Sequence, residues 1–132
     1  MFKLTRKVEY ALIALRHMQN KGSEVVTNTK EIAEAYDIPV QLLAKTLQHL
    51  AREGIIDPVQ GPHGGYRLTA NLEDLNLTDF IELLEGPMGL MDCYFDSGCE
   101  QLGVCNIRLP IVKINDSIRN MFNKMSLADL TK

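Results

Sequence analysis

Residues 28–68, NTKEIAEAYDIPVQLLAKTLQHLAREGIIDPVQGPHGGYRL, form the stretch that decides the fold. Asn28 and the glutamate three residues later match a capping box, which predicts a helix over 29–36. A tight turn follows, and Pro39 suits the first position of a second helix over 39–52. Two helices joined by so short a turn, the second of them amphipathic, are typical of a helix-turn-helix.

The remainder of the stretch predicts a β-hairpin directly after the second helix. Residues 55–59 and 66–68 are expected to be strands, and the glycine-rich segment 60–65 is expected to be the turn between them. Its tip lacks bulky side chains, so its backbone can approach DNA closely. An ordinary hairpin turn is the alternative. We predict a mainly α fold, a winged helix-turn-helix whose wing is this hairpin, followed by a long C-terminal dimerisation helix.

Helices are also predicted on both sides of this stretch, over 5–19, from Asn76 or Thr78 to Glu85, and over 107–124. The last of these carries apolar residues at alternating spacings of four and three, which is an a/d seam. Such a seam needs a partner, either the protein's own first helix or a second subunit, and we favour a homodimer. The seam consists of Ile107, Ile111, Ile114, Ile118, Met121 and Met125.

These elements divide the chain into four parts. Residues 1–70 form the DNA-binding winged helix, 71–89 a connecting helix, 90–106 a cysteine loop, and 107–132 the dimerisation helix and tail. The formal charge is about +2 over the first part and about −5 over the other three together, which is consistent with a DNA-facing first half.

The composition excludes several classes of protein. With 45% hydrophobic and 23% charged residues the chain is typical of globular proteins. No apolar run approaches the roughly 20 residues that cross a bilayer, so no membrane partner is expected. Three cysteines, an odd number, without a cleavable leader indicate a reducing compartment, the cytoplasm. Because Cys-x-x-Cys and a βαβ pattern are both absent, a thiol-redox enzyme is not expected.

All the cysteines lie in CYFDSGCEQLGVC, residues 93–105, with five residues between successive cysteines. Zinc sites commonly use closely paired Cys-x-x-Cys ligands, whereas evenly spaced single cysteines favour an iron–sulfur cluster. Zinc and a thiol–disulfide switch remain as alternatives. The predicted cluster ligands are Cys93, Cys99 and Cys105.

A cluster normally needs a fourth ligand, which must be His, Asp, Glu or solvent. Glu9 is a lone carboxylate beside the apolar stripe of the first helix, and carboxylates are suitable ligands for iron. Its alternative role is that of a solvated acid paired with a neighbouring Lys or Arg.

Over essentially its full length the chain resembles the iron–sulfur winged-helix regulators typified by IscR and NsrR. The most specific parts are GPHGGY, residues 61–66, and the three-cysteine loop. The resemblance implies a homodimer that binds palindrome-like operators, with a 2Fe–2S or 4Fe–4S cluster that alters DNA affinity in response to redox state, nitric oxide or iron–sulfur status. IscR-like proteins have a ligand histidine where this chain has Arg108, and arginine cannot ligate iron. The NsrR-like pattern takes a carboxylate from the first helix of the other subunit, and the matching position here is Glu9.

In such a regulator the second helix of the helix-turn-helix enters the major groove, and the wing meets the adjacent minor groove or the backbone. Cluster binding is expected to tie the cysteine loop to the partner's first helix and to set the spacing of the two recognition helices. The predicted DNA contacts are Gln41, Lys45 and Gln48 on the helix, and Gln60, His63 and Gly64 in the wing.

Overall fold

The computed structural model describes residues 4–22, 24–87 and 106–131. Over these ranges the chain forms six α-helices and a two-stranded antiparallel sheet, which confirms the predicted mainly α winged helix. None of the helices in these ranges has both the length and the hydrophobicity that a transmembrane span requires. The elements are α1 (Arg6–Lys21), α2 (Thr29–Tyr36), α3 (Val40–Arg52), β1 (Ile56–Val59), β2 (Gly65–Leu68), α4 (Leu77–Glu85), α5 (Arg108–Asn123) and α6 (Leu127–Thr131), with a single 3-10 turn at Leu72–Asp74.

Three polar side chains fix the starts of helices. Thr5, Asn28 and Asn76 each accept a hydrogen bond from the backbone N–H three residues later, at 3.2, 2.7 and 2.8 Å. These caps satisfy N–H groups that the first turn of a helix leaves without partners. Asn76, rather than Thr78, is therefore the cap of α4. The hydroxyl of Thr78 is buried and donates to the carbonyl of Arg119 at 3.3 Å.

The turn between α2 and α3 is closed by backbone contacts. Asp37 adopts the left-handed conformation, with φ of 54°, and the N–H of Ile38 donates to the carbonyl of Ala33 at 2.9 Å. Pro39 has a ψ of 125°, so it precedes the helix as its N-cap residue. The recognition helix thus begins at Val40, one residue later than predicted.

The core forms where α1 packs against α3, α4 and α6. Phe80 of α4 is fully buried in it. After α5 the chain returns to this core, where Leu127 of α6 is also fully buried. Two backbone hydrogen bonds secure the return: Leu77 donates to the carbonyl of Met125 at 2.9 Å, and Leu127 donates to that of Leu75 at 2.8 Å.

A polar cluster joins α1 to α2. Nε2 of His17 lies 2.6 Å from Oε2 of Glu31, and Nδ1 of the same ring lies 2.8 Å from the hydroxyl of Tyr36. Nζ of Lys21 donates to both carboxylate oxygens of Glu31, at 3.0 and 2.9 Å. The hydrogen bonds from His17 and Lys21 lower the pKa of Glu31 below its ordinary value. The ionised carboxylate therefore stabilises the contact between the two helices.

The cluster of His17, Lys21 and Glu31 predicts that part of the free energy of unfolding is lost at acid pH. Because the folded-state pKa of Glu31 is lowered, its contribution is present above the ordinary glutamate pKa of 4.5 and is lost as the pH falls through the lowered value. We expect the free energy of unfolding of Glu31→Gln to fall less steeply below about pH 4.5 than that of the unmodified protein. Urea unfolding over a series of pH values measures this difference.

Glu34→Gln is the matched control, since Glu34 lies on the same helix and pairs across 3.9 Å with Lys30, whose side chain is exposed. It should keep the acid dependence of the unmodified protein. Identical pH profiles for the two variants would contradict the role assigned to Glu31.

Candidate nucleic-acid interface

The recognition helix α3 has one buried and one exposed face. Its buried stripe, Leu43, Leu47 and Leu50, packs against the neighbouring helices and has no exposed surface. The opposite face is open to solvent and carries three polar side chains about one helical turn apart. The residues on this face are the three predicted helix contacts, Gln41, Lys45 and Gln48.

The wing is a short hairpin with a polar tip. β1 and β2 pair in antiparallel register from Ile56 opposite Leu68 to Val59 opposite Gly65. The predicted contacts Gln60 and His63 are exposed in the turn between the strands. Both side chains are accessible to a ligand beside the hairpin.

Gly64, the third predicted wing contact, is half-buried and has a structural role inside the turn. A Cβ atom at this position would lie 2.2 Å from the carbonyl oxygen of Val59. The N–H of Gly64 donates to the carbonyl of Gly61 at 3.0 Å, which closes the turn. The absence of a side chain at Gly64 is therefore required by the hairpin itself.

The wing is anchored to the start of the helix-turn-helix by a contact that sequence reasoning missed. Thr27 and Tyr66 exchange two backbone hydrogen bonds, each of 2.8 Å. The bridge requires close approach of the two chains, because a Cβ atom on Gly65 would lie 2.4 Å from the carbonyl oxygen of Thr27. The consecutive glycines 64 and 65 were the available signal, since a glycine in a strand often marks a close backbone approach.

Arg67 is the cationic residue of the wing strands, and it forms an ion pair across the hairpin. Its Nη2 lies 3.0 Å from Oδ2 of Asp57, the residue directly opposite in the register. Opposite charges facing each other across a strand pair stabilise the hairpin modestly.

The predicted cluster ligands Cys93, Cys99 and Cys105 lie outside the described residues. Glu9 lies in the first turn of α1, where its side chain is 44% exposed and 3.6 Å from Nη1 of Arg6. The partly exposed carboxylate is therefore accessible to a ligand. Among residues 4–22, 24–87 and 106–131, no group of three His, Cys, Asp or Glu residues is arranged to hold a metal ion.

The end of α1 that carries Glu9 contacts the end of α4. The hydroxyl of Thr5 donates to Oε1 of Glu85 at 2.7 Å, and Nζ of Lys7 donates to the carbonyl of Leu84 at 3.2 Å. α4 ends at Glu85, and the cysteines follow α4 in the sequence. Glu9 therefore lies at the same end of the fold as the C-terminus of α4.

The apolar seam of α5 is largely uncovered. Ile107, Ile114 and Met121 are 55%, 51% and 50% exposed, so α1 does not cover the seam. α5 packs against α4 through a different side, where Asn115 is buried and Arg119 pairs with the carboxylate of Glu82. The pair of Arg119 with Glu82 and the packing of Phe122 against the core hold α5 in place, whereas its exposed apolar face remains available to a second surface.

Comparison with known proteins identifies the family. The sequence pattern of Rrf2, described as "Iron-dependent Transcriptional regulator", matches residues 4–132. The protein rrf2 of Nitratidesulfovibrio vulgaris is 30% identical over 131 residues, which cover 98% of this chain and 87% of that protein. The HTH-type transcriptional regulator NsrR of Geobacillus kaustophilus is 28% identical over 130 residues, which cover 97% of this chain and 88% of the relative.

Solved structures have the same fold. CymR, the global cysteine regulator of B. subtilis, superposes with a TM-score of 0.77 at 25% identity, over 99% of this chain and 97% of that one. IscR of T. potens gives a TM-score of 0.71 at 25% identity, over 98% of this chain and 85% of that one.

The anchored wing predicts a specific sensitivity to substitution. Gly65→Ala places a methyl group against the backbone of Thr27, and neither backbone can move without breaking the bridge. We expect a loss of about 3 kcal/mol in the free energy of unfolding, within the range of severe backbone and packing effects.

Gly61→Ala is the control in the same hairpin, because Gly61 has a φ of 111° but nothing lies within 4 Å of its Cβ position. It should lose only about 1 kcal/mol, from backbone strain. Urea unfolding of both variants measures the difference. Equal losses would show that the close approach at Gly65 costs nothing.

Proposed function

The chain belongs to the Rrf2 family of transcriptional regulators, and from this premise we propose that it is a homodimeric DNA-binding regulator that senses its signal through an iron–sulfur cluster. The observation that carries the DNA-binding part is the exposed polar face of α3 beside a wing fixed by backbone hydrogen bonds. A helix-turn-helix places such a face in the major groove, while the wing meets the adjacent minor groove or backbone.

Each predicted contact has a chemistry that suits its place. Gln41 and Gln48 offer amide groups that pair with base edges in the major groove, and Lys45 offers a cation for a guanine or a phosphate. In the wing, Gln60 and His63 are accessible at the tip. Gly64 contributes to binding by shaping the turn, which brings the backbone of the tip close to DNA.

The proposed dimer rests on the seam of α5. Large apolar side chains in a row on one exposed helix face are costly in water, and a second copy of the same helix offers a matching row. Two copies related by a two-fold axis would present two recognition helices, which fits an operator made of two half-sites. The residues that would form the interface are Ile107, Ile111, Ile114, Ile118, Met121 and Met125.

The donor set favours an iron–sulfur cluster as the sensor. Cys93, Cys99 and Cys105 would supply thiolates, and Glu9 of the other subunit a carboxylate, both of which are suitable ligands for iron. When bound, the cluster supplies an iron centre that oxidants and nitric oxide can modify. Glu9, at the end of α1, would link that centre to the helix that packs against α3. A zinc or thiol–disulfide sensor is the second candidate, and the likeness to CymR, a global cysteine regulator, keeps thiol chemistry relevant.

Purification without oxygen tests the cofactor. We expect a coloured protein that contains iron and acid-labile sulfide, and Cys99→Ser should lose most of both because one thiolate of three is removed. Glu9→Ala should retain the thiolate ligands but have altered visible absorption and a lower cluster occupancy.

Glu34→Ala is the control for Glu9→Ala, since Glu34 is an exposed acid on α2 that forms an i,i+4 ion pair. It should leave the spectrum and the iron content unchanged. Colourless, iron-free protein that resists reconstitution would exclude the cluster, and bound zinc in that material would favour the second candidate.

A charge in the seam tests the dimer and its link to DNA. Ile114→Glu places a carboxylate in the proposed interface, so we expect monomers in light scattering and at least a tenfold loss of affinity for a duplex selected from random sequences. Asn123→Glu, on the opposite side of α5 and exposed, should remain dimeric and bind normally. Dimers of Ile114→Glu would contradict the interface, and a lack of salt-dependent binding by the unmodified protein would contradict the DNA-binding function.

A further inference from the structure

A groove of about 400 Å³ lies between the N-terminal turns of α1 and one flank of α3. We call it the α1–α3 groove. Its wall on α1 includes Arg6 and Lys7, and its wall on α3 includes Lys45, Gln48 and Arg52. Lys45 and Gln48 also belong to the exposed face of the recognition helix, so the groove is continuous with the surface that is proposed to enter the major groove.

The α1–α3 groove is strongly cationic in a chain whose formal net charge is −3. Four of its lining residues, Arg6, Lys7, Lys45 and Arg52, carry positive charges at neutral pH, and none of the lining residues is acidic. A second concavity, of about 540 Å³ at the base of the wing, contains Arg67 together with two acids, Glu24 and Glu73. The α1–α3 groove is therefore the concavity of the two that suits an anion.

The cationic side chains of the α1–α3 groove differ in the contacts that they already make with other groups of the protein. Lys7 donates to the carbonyl of Leu84 at 3.2 Å and so contributes to packing between α1 and α4. The side chain of Arg6 is 81% exposed, and the carboxylate of Glu9 lies 3.6 Å from it on the helix surface. Surface pairs of this kind contribute little energy, so Arg6 can exchange this carboxylate for another anion.

We propose that the α1–α3 groove binds phosphates of the DNA strand beside the major groove that α3 enters, with Arg6 and Arg52 as the main phosphate ligands. This inference rests on the proposed DNA-binding function and adds α1 to the DNA-contacting surface. Guanidinium groups bind phosphate oxygens through paired hydrogen bonds, which makes arginine well suited to this role. The contact also places a phosphate ligand three residues from Glu9, the predicted cluster ligand.

The test compares three arginine variants. Arg6→Gln and Arg52→Gln each remove a charge from the α1–α3 groove, and Arg16→Gln removes the same charge from an exposed position on α1 outside the groove. Binding of each dimeric protein to a random-sequence duplex and to a selected operator is measured over a range of salt concentrations by fluorescence anisotropy.

Loss of one phosphate contact should reduce the magnitude of the slope of log K against log salt by about 0.9 per subunit. We expect this reduction for Arg6→Gln and for Arg52→Gln, together with a similar fold loss of affinity for both duplexes, because phosphate contacts carry no sequence information. Arg16→Gln should match the unmodified protein.

Three results would overturn the inference. The first is an unchanged slope for both Arg6→Gln and Arg52→Gln, and the second is an equal change for Arg16→Gln, which would indicate a general charge effect. The third is a loss confined to the operator, which would indicate base reading. Each of these leaves the proposed function intact provided that the unmodified protein binds DNA, whereas failure of the unmodified protein to bind either duplex would reject both proposals.

Discussion

Two backbone hydrogen bonds between Thr27 and Tyr66 fix the relation between the wing and the helix-turn-helix. A two-stranded hairpin is marginally stable by itself, so the orientation of this wing depends on its attachment to the rest of the domain. The attachment exists because Gly65 has no side chain where the two backbones meet. The recognition helix is positioned from its other side by its buried leucine stripe. The two elements that are proposed to contact DNA therefore belong to one packed unit.

Much of this unit could be predicted from the sequence because its determinants are local. Thr5 and Asn28 cap their own helices through contacts three residues away, and the buried and exposed faces of α3 follow from helical periodicity. Contacts between distant segments could not be predicted in the same way. The bridge from Thr27 to Tyr66 and the return of α6 to the core both depend on which segments fold next to each other.

The same distinction between local determinants and long-range contacts applies to the candidate site. Gln41, Lys45 and Gln48 share one exposed face, as expected from their spacing on a single helix. The α1–α3 groove escaped prediction because its cations come from two helices, and because the charge of the first 70 residues is only about +2 when all their acids are counted. The role of Gly64 could be predicted only in part from the sequence. The carbonyl of Val59, which leaves no room for a side chain at Gly64, comes from the opposite strand. The predicted ligands Cys93, Cys99 and Cys105 and the dimer remain predictions.

The hydrogen bonds that join Leu77 to Met125 and Leu127 to Leu75 fix the start of α4 to the segment that follows α5. The other end of α4 is held to α1 by the hydrogen bonds of Thr5 with Glu85 and of Lys7 with Leu84. α4 is therefore attached at both of its ends, and α5 packs on it. Because α1 also packs on α3, the direction in which the apolar seam faces is set relative to the helix-turn-helix of the same chain.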